Sequence, residues 1–211
     1  ITTYEYDSIG NIIKITNPLG HQTVNTYNKN GAIISSTDAN GSITTYEYDD
    51  MGNLIKTTDP LNNISSTEYD ATNYLYEGRI AKTKTTDPLN NSVTYEYDSL
   101  GRRIRVIDPL GNATSSEYDN VGNLIKVIDA LGNATTLEYD YFYRKTKISD
   151  PLGHATSFTY DDVGNVLSII DANGRMTSYE YDTLYRRIKV IDPQSNITNY
   201  SYDILGNLLK Q

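Results

Sequence analysis

The sequence has 211 residues, with Lys+Arg 18 against Asp+Glu 27, a net charge of −9, two His and no Cys. The negative charge argues against binding to nucleic acid or to an anionic membrane. The lack of cysteine excludes disulfides, thiolate zinc sites and cysteine nucleophiles, and no apolar run approaches the roughly 20 residues of a membrane-spanning helix. Tyrosine is the unusual residue: 20 Tyr stand against two Phe and no Trp. A packed core does not require so many tyrosines, so their number indicates that they occur at regular positions in the sequence.

Ten of these tyrosines recur at a regular interval. Each is followed by Asp or Asn, and the interval is 21 residues except for one of 28, between Tyr69 and Tyr97. Self-similarity at a fixed period is the signature of a repeat architecture, so residues 1–211 are predicted to form a single array of about ten repeats. The repeat tyrosines are Tyr6, Tyr27, Tyr48, Tyr69, Tyr97, Tyr118, Tyr139, Tyr160, Tyr181 and Tyr202.

Each repeat contains two turn sequences, half a period apart. The tyrosine turn follows the repeat tyrosine and reads Asp-x-x-Gly, whereas the proline turn reads Asp-Pro-Leu-Gly or Asp-Pro-Leu-Asn. Asp bonds nearby backbone amides, Pro presets the second turn position, and Gly or Asn accepts a positive φ. The residues singled out are Asp49, Gly52, Asp98, Gly101, Asp119 and Gly122 in the tyrosine turns, and Pro60, Pro109 and Pro151 in the proline turns.

The segments between the turns have the length and composition of β-strands. They are runs of about six residues rich in Thr, Tyr, Ile and Val, and turns every 10 or 11 residues leave no room for helices. The sequence therefore predicts an all-β antiparallel meander of about twenty short strands, built from ten hairpin repeats and forming a curved or spiralling ribbon. A parallel β-solenoid with 21 residues per coil is the alternative, although tight Asp-Pro reversals favour the meander.

The period also constrains the register. If all repeat tyrosines lie on one side of the sheet, the two connections of a repeat must differ in parity, because a one-residue slip reverses every side chain. A three-residue loop at the proline turn pairs Asp59 with Asn63, so a four-residue loop is predicted at the tyrosine turn, pairing Tyr48 with Asn53. One face then carries tyrosines and aliphatic residues such as Ile55, and the other carries Glu and Lys.

These motifs resemble the RHS/YD-repeat family, whose units read Tyr-x-Tyr-Asp-x-x-Gly-Arg followed by an aliphatic residue. Residues 95–104, Tyr-Glu-Tyr-Asp-Ser-Leu-Gly-Arg-Arg-Ile, match nearly throughout, whereas most other repeats carry Asn in the Arg slot, as at Asn53 and Asn123. The resemblance covers essentially the whole chain. It implies a β-ribbon that spirals into a hollow shell, as in bacterial toxin complexes, polymorphic toxins and teneurin-type adhesion proteins. In the toxins, such a shell encloses a C-terminal toxic domain.

The resemblance implies a non-enzymatic structural segment of a large secreted or cell-surface protein, forming part of an encapsulating β-shell. The expected partners are the remaining repeats of the parent chain, a second copy of this chain, or an enclosed toxin domain. The alternative is a cell-surface adhesion module that binds carbohydrate or a partner protein through aromatic hairpin loops. No catalytic, cofactor-binding or metal-binding residue is predicted, because the sequence contains no nucleophile–base pair, phosphate loop or calcium-loop spacing.

The 28-residue repeat contains a seven-residue insertion within residues 70–88. Tyr74, Leu75 and Tyr76 are predicted interaction residues of a protruding loop there, since loops on rigid scaffolds often carry binding. Neutral drift in loop length is the alternative.

A second candidate interaction site is Tyr141-Phe142-Tyr143, where Tyr143 occupies the Gly slot of a tyrosine turn. Tyr185 makes the same replacement in a later repeat. A bulky residue at this position predicts a changed turn, and the aromatic side chains then form either an interaction knob or a repacked turn.

Apolar residues also occupy the turn tips, and exposed rows of this kind usually mark contact surfaces. The tips are predicted to pack between coils of the ribbon or between molecules, or alternatively to fold over their own hairpins. The leucines of the proline turns are Leu19, Leu61, Leu89, Leu110, Leu131 and Leu152.

Overall fold

The computed structural model describes residues 1–74 and 80–211, with the backbone alone for 71–74. All regular elements of these residues are β-strands, 21 in number. They fall into two compact units, Ile1–Ala113 and Thr114–Gln211. The all-β prediction is therefore confirmed, and the number of strands agrees with the predicted meander.

In the first compact unit each strand pairs antiparallel with its neighbours along the chain. The strands are β1 (Thr3–Tyr6), β2 (Ile12–Thr16), β3 (Gln22–Tyr27), β4 (Ile33–Thr37), β5 (Ile43–Tyr48), β6 (Leu54–Thr58), β7 (Ile64–Tyr74), β8 (Ile80–Thr86), β9 (Ser92–Tyr97) and β10 (Arg103–Ile107). The long β7 and β8 belong to the 28-residue repeat.

The second compact unit repeats this arrangement from β11 to β19 and ends with the hairpin of β20 and β21. Because the strand ladders of both units are antiparallel, the meander is confirmed and the parallel solenoid is excluded. The strands are β11 (Ala113–Tyr118), β12 (Leu124–Ile128), β13 (Ala134–Tyr139), β14 (Lys145–Ser149), β15 (Ala155–Tyr160), β16 (Val166–Ile170), β17 (Met176–Tyr181), β18 (Arg187–Ile191), β19 (Ile197–Asn199), β20 (Ser201–Tyr202) and β21 (Leu208–Lys210).

The tyrosine turn and the proline turn have the same backbone geometry. In the proline turn the N–H of Asp59 donates to the carbonyl of Asn63 at 3.0 Å, which confirms the predicted pairing. In the tyrosine turn the N–H of Asp49 donates to the carbonyl of Asn53, also at 3.0 Å. Both connections are therefore three-residue loops, and the four-residue loop predicted at the tyrosine turn is wrong.

A β-bulge supplies the parity difference that the prediction assigned to loop length. Tyr48 pairs with Leu54 and Glu47 with Lys56, so Ile55 is one extra residue on its strand. Such a bulge sets two residues of one strand against one of the other. The same register shift follows the tyrosine turn in every repeat. The predicted difference in parity between the two connections is therefore present, but a β-bulge produces it and not a difference in loop length.

Successive hairpins are staggered by two residues. Tyr46 pairs with Thr57 and Thr57 with Ser65, so residues side by side are 19 positions apart, two fewer than the period of 21. An even offset preserves the face on which a side chain lies. Within each compact unit, the repeat tyrosines therefore share one face of the sheet, which we call the tyrosine face.

The opposite face carries directly paired polar side chains. Glu47 and Lys56 are cross-strand partners with Oε1 and Nζ 2.7 Å apart, and six further repeats have an equivalent ion pair. Where Glu is replaced by Thr159, its partner is Ser168, and their hydroxyls lie 2.8 Å apart. Exposed ion pairs contribute about 0–1 kcal/mol each, so this solvated face fixes the register more than it stabilises the fold.

The tyrosine face is only partly covered. Among the described residues the buried apolar side chains are Ile80 and Ala81, and the repeat tyrosines from Tyr27 onward are half-buried. Stability therefore depends on the ladders, the turns and the bonds between hairpins rather than on a closed core.

Candidate functional site

The repeat tyrosines bond each hairpin to the preceding one. Eight phenols donate to the backbone carbonyl 15 residues earlier, over 2.6–3.3 Å. The acceptor is in each case the first residue of the strand after the preceding tyrosine turn, or lies close to that strand's start. The bonds join Tyr27 to Ile12, Tyr48 to Ile33, Tyr69 to Leu54, Tyr97 to Lys82, Tyr139 to Leu124, Tyr160 to Lys145, Tyr181 to Val166 and Tyr202 to Arg187.

The stagger between hairpins explains why tyrosine is needed there. The ladder between β14 and β15 ends at the pair Lys147–Ser157, and Lys145 is paired on its other side with Tyr139. The carbonyl of Lys145 therefore lies beyond the ladder, and the Tyr160 hydroxyl reaches it at 2.6 Å. A buried or half-buried carbonyl without a donor is costly, and phenylalanine would fill the same space without supplying one.

Burial raises the pKa of several of these phenols, among them Tyr69 and Tyr181. Desolvation raises the pKa of Tyr181 above the usual value of 10.0, although Arg187 nearby lowers it. Desolvation likewise raises the pKa of Tyr69, with a smaller contribution from the Asp49 carboxylate. Both phenols therefore remain neutral hydrogen-bond donors at physiological pH.

Asp at the first turn position organises most connections, and Asn17 and Asn28 take its place in two turns. In the turn of Asp129, Oδ1 accepts the N–H groups of Leu131 and Asn133 at 2.9 and 2.8 Å, and Oδ2 accepts the Asn133 side-chain amide at 2.8 Å. The Asn133 side chain is the largest cause that holds the pKa of Asp129 below its usual 3.8, followed by the backbone of Asn133. These carboxylates are therefore occupied in turn formation.

We expect stability to be lost as the pH falls below about 4. A carboxyl whose folded pKa is depressed contributes stability above its unfolded pKa, and this contribution disappears on protonation. The pKa values of Asp59, Asp129 and Asp203 lie below the usual 3.8, and this places the loss of stability below about pH 4. Urea unfolding at pH 7, 5, 4 and 3 measures the effect. General charge repulsion predicts a rising midpoint from pH 7 down to the pI of about 4.6. A midpoint that does not fall between pH 4 and pH 3 contradicts this assignment.

The residue after the fourth turn position decides whether successive tyrosine turns are linked by a side chain. Arg144 binds Asp140 of its own turn, with Nε and Oδ2 2.7 Å apart. Its Nη1 donates to the carbonyl of Asp161 in the next tyrosine turn at 2.6 Å, and its guanidinium lies 4.8 Å from the ring centroid of Tyr160. Arg186 makes the same bridge to Asp203 and Tyr202.

The predicted turn residues occupy equivalent positions. The aspartates stand first in their turns and the glycines stand fourth with positive φ, whereas the prolines stand second. The aspartates are Asp49, Asp98 and Asp119, the glycines Gly52, Gly101 and Gly122, and the prolines Pro60, Pro109 and Pro151.

Tyr143 does not change its turn, so that expectation is wrong. Its N–H donates to the Asp140 carbonyl at 3.0 Å as glycine does elsewhere, and its φ is 62°. Tyr185 likewise has a φ of 61°. The three aromatic side chains stand out from the sheet, since Tyr141 is 89% exposed, Phe142 63% and Tyr143 60%. Tyr141 and Phe142 form an edge-to-face pair with centroids 5.5 Å apart.

The insertion is only partly described. Tyr74 is the last residue of β7 and its backbone pairs with Ile80, whereas Leu75 and Tyr76 lie outside the described residues. Their role in an interaction stays a prediction.

The proline-turn leucines stand clear of their own hairpins. Their exposed fractions run from 80% for Leu19, Leu61 and Leu89 to 87% for Leu110 and Leu131. The alternative that each tip folds over its own hairpin is therefore wrong for this edge.

Residues 1–74 and 80–211 contain no helix able to cross a bilayer. In the same residues, no group of three or more His, Cys, Asp or Glu side chains could hold a metal ion.

Comparison with known families identifies the repeat. The family model described as Teneurin YD-shell matches residues 1–176, and that of the RHS repeat matches residues 160–197. The chain belongs to the teneurin YD-shell family. The resemblance to RHS/YD repeats is thereby confirmed, and the YD of the family name corresponds here to pairs such as Tyr48-Asp49 and Tyr160-Asp161. No curated protein matches this YD-shell chain.

Several solved structures match the YD-shell chain. A structure of the Photorhabdus luminescens Tc holotoxin pore is 16% identical with a TM-score of 0.48, covering 98% of this chain and 15% of that one. A TcdB2-TccC3-Cdc42 structure is 17% identical with a TM-score of 0.47, covering 98% and 16%. A porin-like protein from Bacteroides uniformis is 16% identical with a TM-score of 0.23, covering 88% and 85%. The YD-shell chain thus spans about a sixth of the toxin chains.

Proposed function

We propose that the chain is a non-enzymatic structural segment that forms part of an encapsulating β-shell, within a large secreted or cell-surface protein of the RHS or polymorphic-toxin kind. Membership of the teneurin YD-shell family carries this proposal. Its partners are the remaining repeats of the parent chain, a second copy of this chain, or an enclosed toxin domain.

The use of the side chains supports a structural role. The repeat tyrosines donate hydrogen bonds from one hairpin to the preceding one, as Tyr160 does. The turn aspartates accept hydrogen bonds from the backbone of their own turn, as Asp129 does. The Glu and Lys side chains of the opposite face pair with each other. These columns can thus extend over any number of repeats. The half-covered tyrosine face provides a surface for contact with enclosed polypeptide.

Limited proteolysis of the full-length parent protein tests the shell. Enclosure predicts that the polypeptide outside the repeats survives a protease that digests it rapidly when it is expressed alone. Removal of two whole repeats, residues 119–160, keeps the hairpin register and opens the wall, so the same polypeptide is then digested. Equal digestion rates in the intact and shortened proteins contradict the proposal.

Cell-surface adhesion is the second candidate function. The exposed row Tyr141, Phe142 and Tyr143 favours it, because aromatic side chains on a rigid hairpin tip can stack on a carbohydrate or bury against a partner protein. Glycan-array binding that disappears on changing Tyr141 and Phe142 to Ser, but persists on changing Leu152 to Ser, would support adhesion. Absence of binding by the unaltered chain contradicts it.

A further inference from the structure

Some tyrosine turns are separated by an open cleft at the place where Arg144 and Arg186 lie in others. The first cleft, of about 670 Å³, is lined by Tyr48 and Asp49 together with Ile34 and Ile55. The second, of about 650 Å³, is lined by Tyr139 and Asp140 together with Ile125 and Leu137. Each cleft lies within a single compact unit.

The sequence explains why these clefts are open. The bridging slot lies 16 residues before the next repeat tyrosine, as Arg144 does before Tyr160. In the first cleft this slot is Ala32, whose side chain is too short to bridge. In the second it is Asn123, whose amide is bonded to Asp119 of its own turn at 2.8 Å.

Each cleft keeps the aromatic ring and the backbone carbonyl that receive the guanidinium in the closed repeats. The carboxylate that binds it from its own turn is replaced by Asn28 in the first cleft and is bonded to the Asn123 amide in the second. Tyr48 and Asp49 correspond to Tyr160 and Asp161, which provide the aromatic ring and the backbone carbonyl for Arg144. Asp49 and Asp50 line the first cleft, and Asp119 and Asp140 line the second. Among residues 1–74 and 80–211, no side chain occupies this guanidinium-binding geometry in the two clefts.

We propose that these two clefts bind arginine side chains of a partner polypeptide. Arginine fits better than lysine because its planar guanidinium can stack on a ring while it donates to a carbonyl. The net charge of −9 favours a basic partner. Lys29 lines the first cleft, and the Arg144 guanidinium binds the Asp140 carboxylate beside the second, so each cleft has one positive charge nearby. This inference is independent of the proposed shell, since it concerns local recognition.

Backbone amide NMR of the full chain titrated with N-acetyl-arginine amide tests the proposal. We expect shifts concentrated at residues 137–143 and 46–50, with a dissociation constant on the order of 1 mM. N-acetyl-citrulline amide, which has nearly the same shape but no charge, should bind at least tenfold more weakly.

Two variants show whether the cleft itself is the site. Asn123→Arg should fill the second cleft from within and abolish its shifts while leaving those at 46–50. Arg144→Ala should open a new cleft and produce arginine-dependent shifts at Tyr160 and Asp161. This second variant removes a side chain instead of adding one, so it remains informative if Asn123→Arg folds poorly.

Three results would overturn the proposal. They are equal shifts with the citrulline compound, shifts spread over all exposed acidic residues, and binding at 137–143 that survives in folded Asn123→Arg. Failure of these experiments leaves the shell proposal untouched, because the protease test does not depend on the clefts.

Discussion

Replacing Tyr160 by alanine is expected to lower the free energy of unfolding by about 3 kcal/mol. The change removes a half-buried ring, its contact with the Arg144 guanidinium at 4.8 Å and the hydrogen bond to the Lys145 carbonyl at 2.6 Å. Tyr160→Phe isolates the hydroxyl, since the ring and its cation contact remain. It is expected to cost about 1 kcal/mol, the usual net contribution of one hydrogen bond.

Tyr141 provides the matched control, because the same residue type is 89% exposed at a turn tip. Tyr141→Ala should change stability by less than about 0.5 kcal/mol. Urea unfolding gives the totals, and hydrogen exchange shows whether the loss is local to β14 and β15, since repeat arrays can unfold in parts. If Tyr160→Phe exchanges and unfolds like the unaltered protein, the phenol–carbonyl bond does not stabilise the array.

Replacing Gly122 by alanine is expected to cost about 1–2 kcal/mol through backbone conformation alone. Its φ is 103°, and a Cβ built there meets nothing within 4 Å, so no steric clash contributes. Asparagine should cost less than alanine because it tolerates a positive φ, and Asn62 and Asn90 occupy the same slot at 65°. Valine should cost most, since β-branching disfavours this region.

The series Gly122→Asn, Gly122→Ala and Gly122→Val can be measured by urea unfolding at one pH. Leu152→Ala serves as a control in a separate turn, because Leu152 is 81% exposed and its backbone is not constrained to positive φ. The expected order of stability is Gly, then Asn, Ala and Val. If the valine variant is as stable as the unaltered protein, the turn geometry assigned to Gly122 is wrong.

The sequence predicts the architecture well because its turn chemistry is explicit. Asp-x-x-Gly and Asp-Pro-Leu-Gly each carry a carboxylate that can bond the turn amides and a residue suited to positive φ. Their spacing leaves room only for short strands. The reversals, the antiparallel pairing and the common face of the tyrosines all follow from these features.

The predicted register is wrong because parity alone does not show whether a longer loop or a β-bulge provides the extra residue. Ile55 looks like an ordinary strand residue, and nothing in its own side chain marks a bulge. The missed signal lies in the residues nine positions apart. Glu47 and Lys56 face each other, and where Glu becomes Thr159 its partner becomes Ser168. This joint replacement would have fixed the bulged register from the sequence.

The role of the repeat tyrosines could not be derived from periodicity. Their face followed from the pattern, but the bond from Tyr160 to Lys145 depends on the two-residue stagger, which carries that carbonyl beyond its ladder. The arginine bridges could not be derived from the sequence either. The family pattern marks the slot of Arg144 and Arg186, yet only the geometry shows the guanidinium reaching the next turn.

Engineered disulfides test the central claim, an antiparallel meander in which a one-residue bulge keeps the phenols on one face. The chain has no Cys, so Cys pairs can be introduced without competition. Glu138 lies directly opposite Lys147, whereas Lys145 pairs with Tyr139 and faces the other side. Glu138→Cys with Lys147→Cys should form an intramolecular disulfide readily under mild oxidation, because facing residues meet the required geometry. Glu138→Cys with Lys145→Cys should not, and preferential formation of that second disulfide would contradict the bulged register.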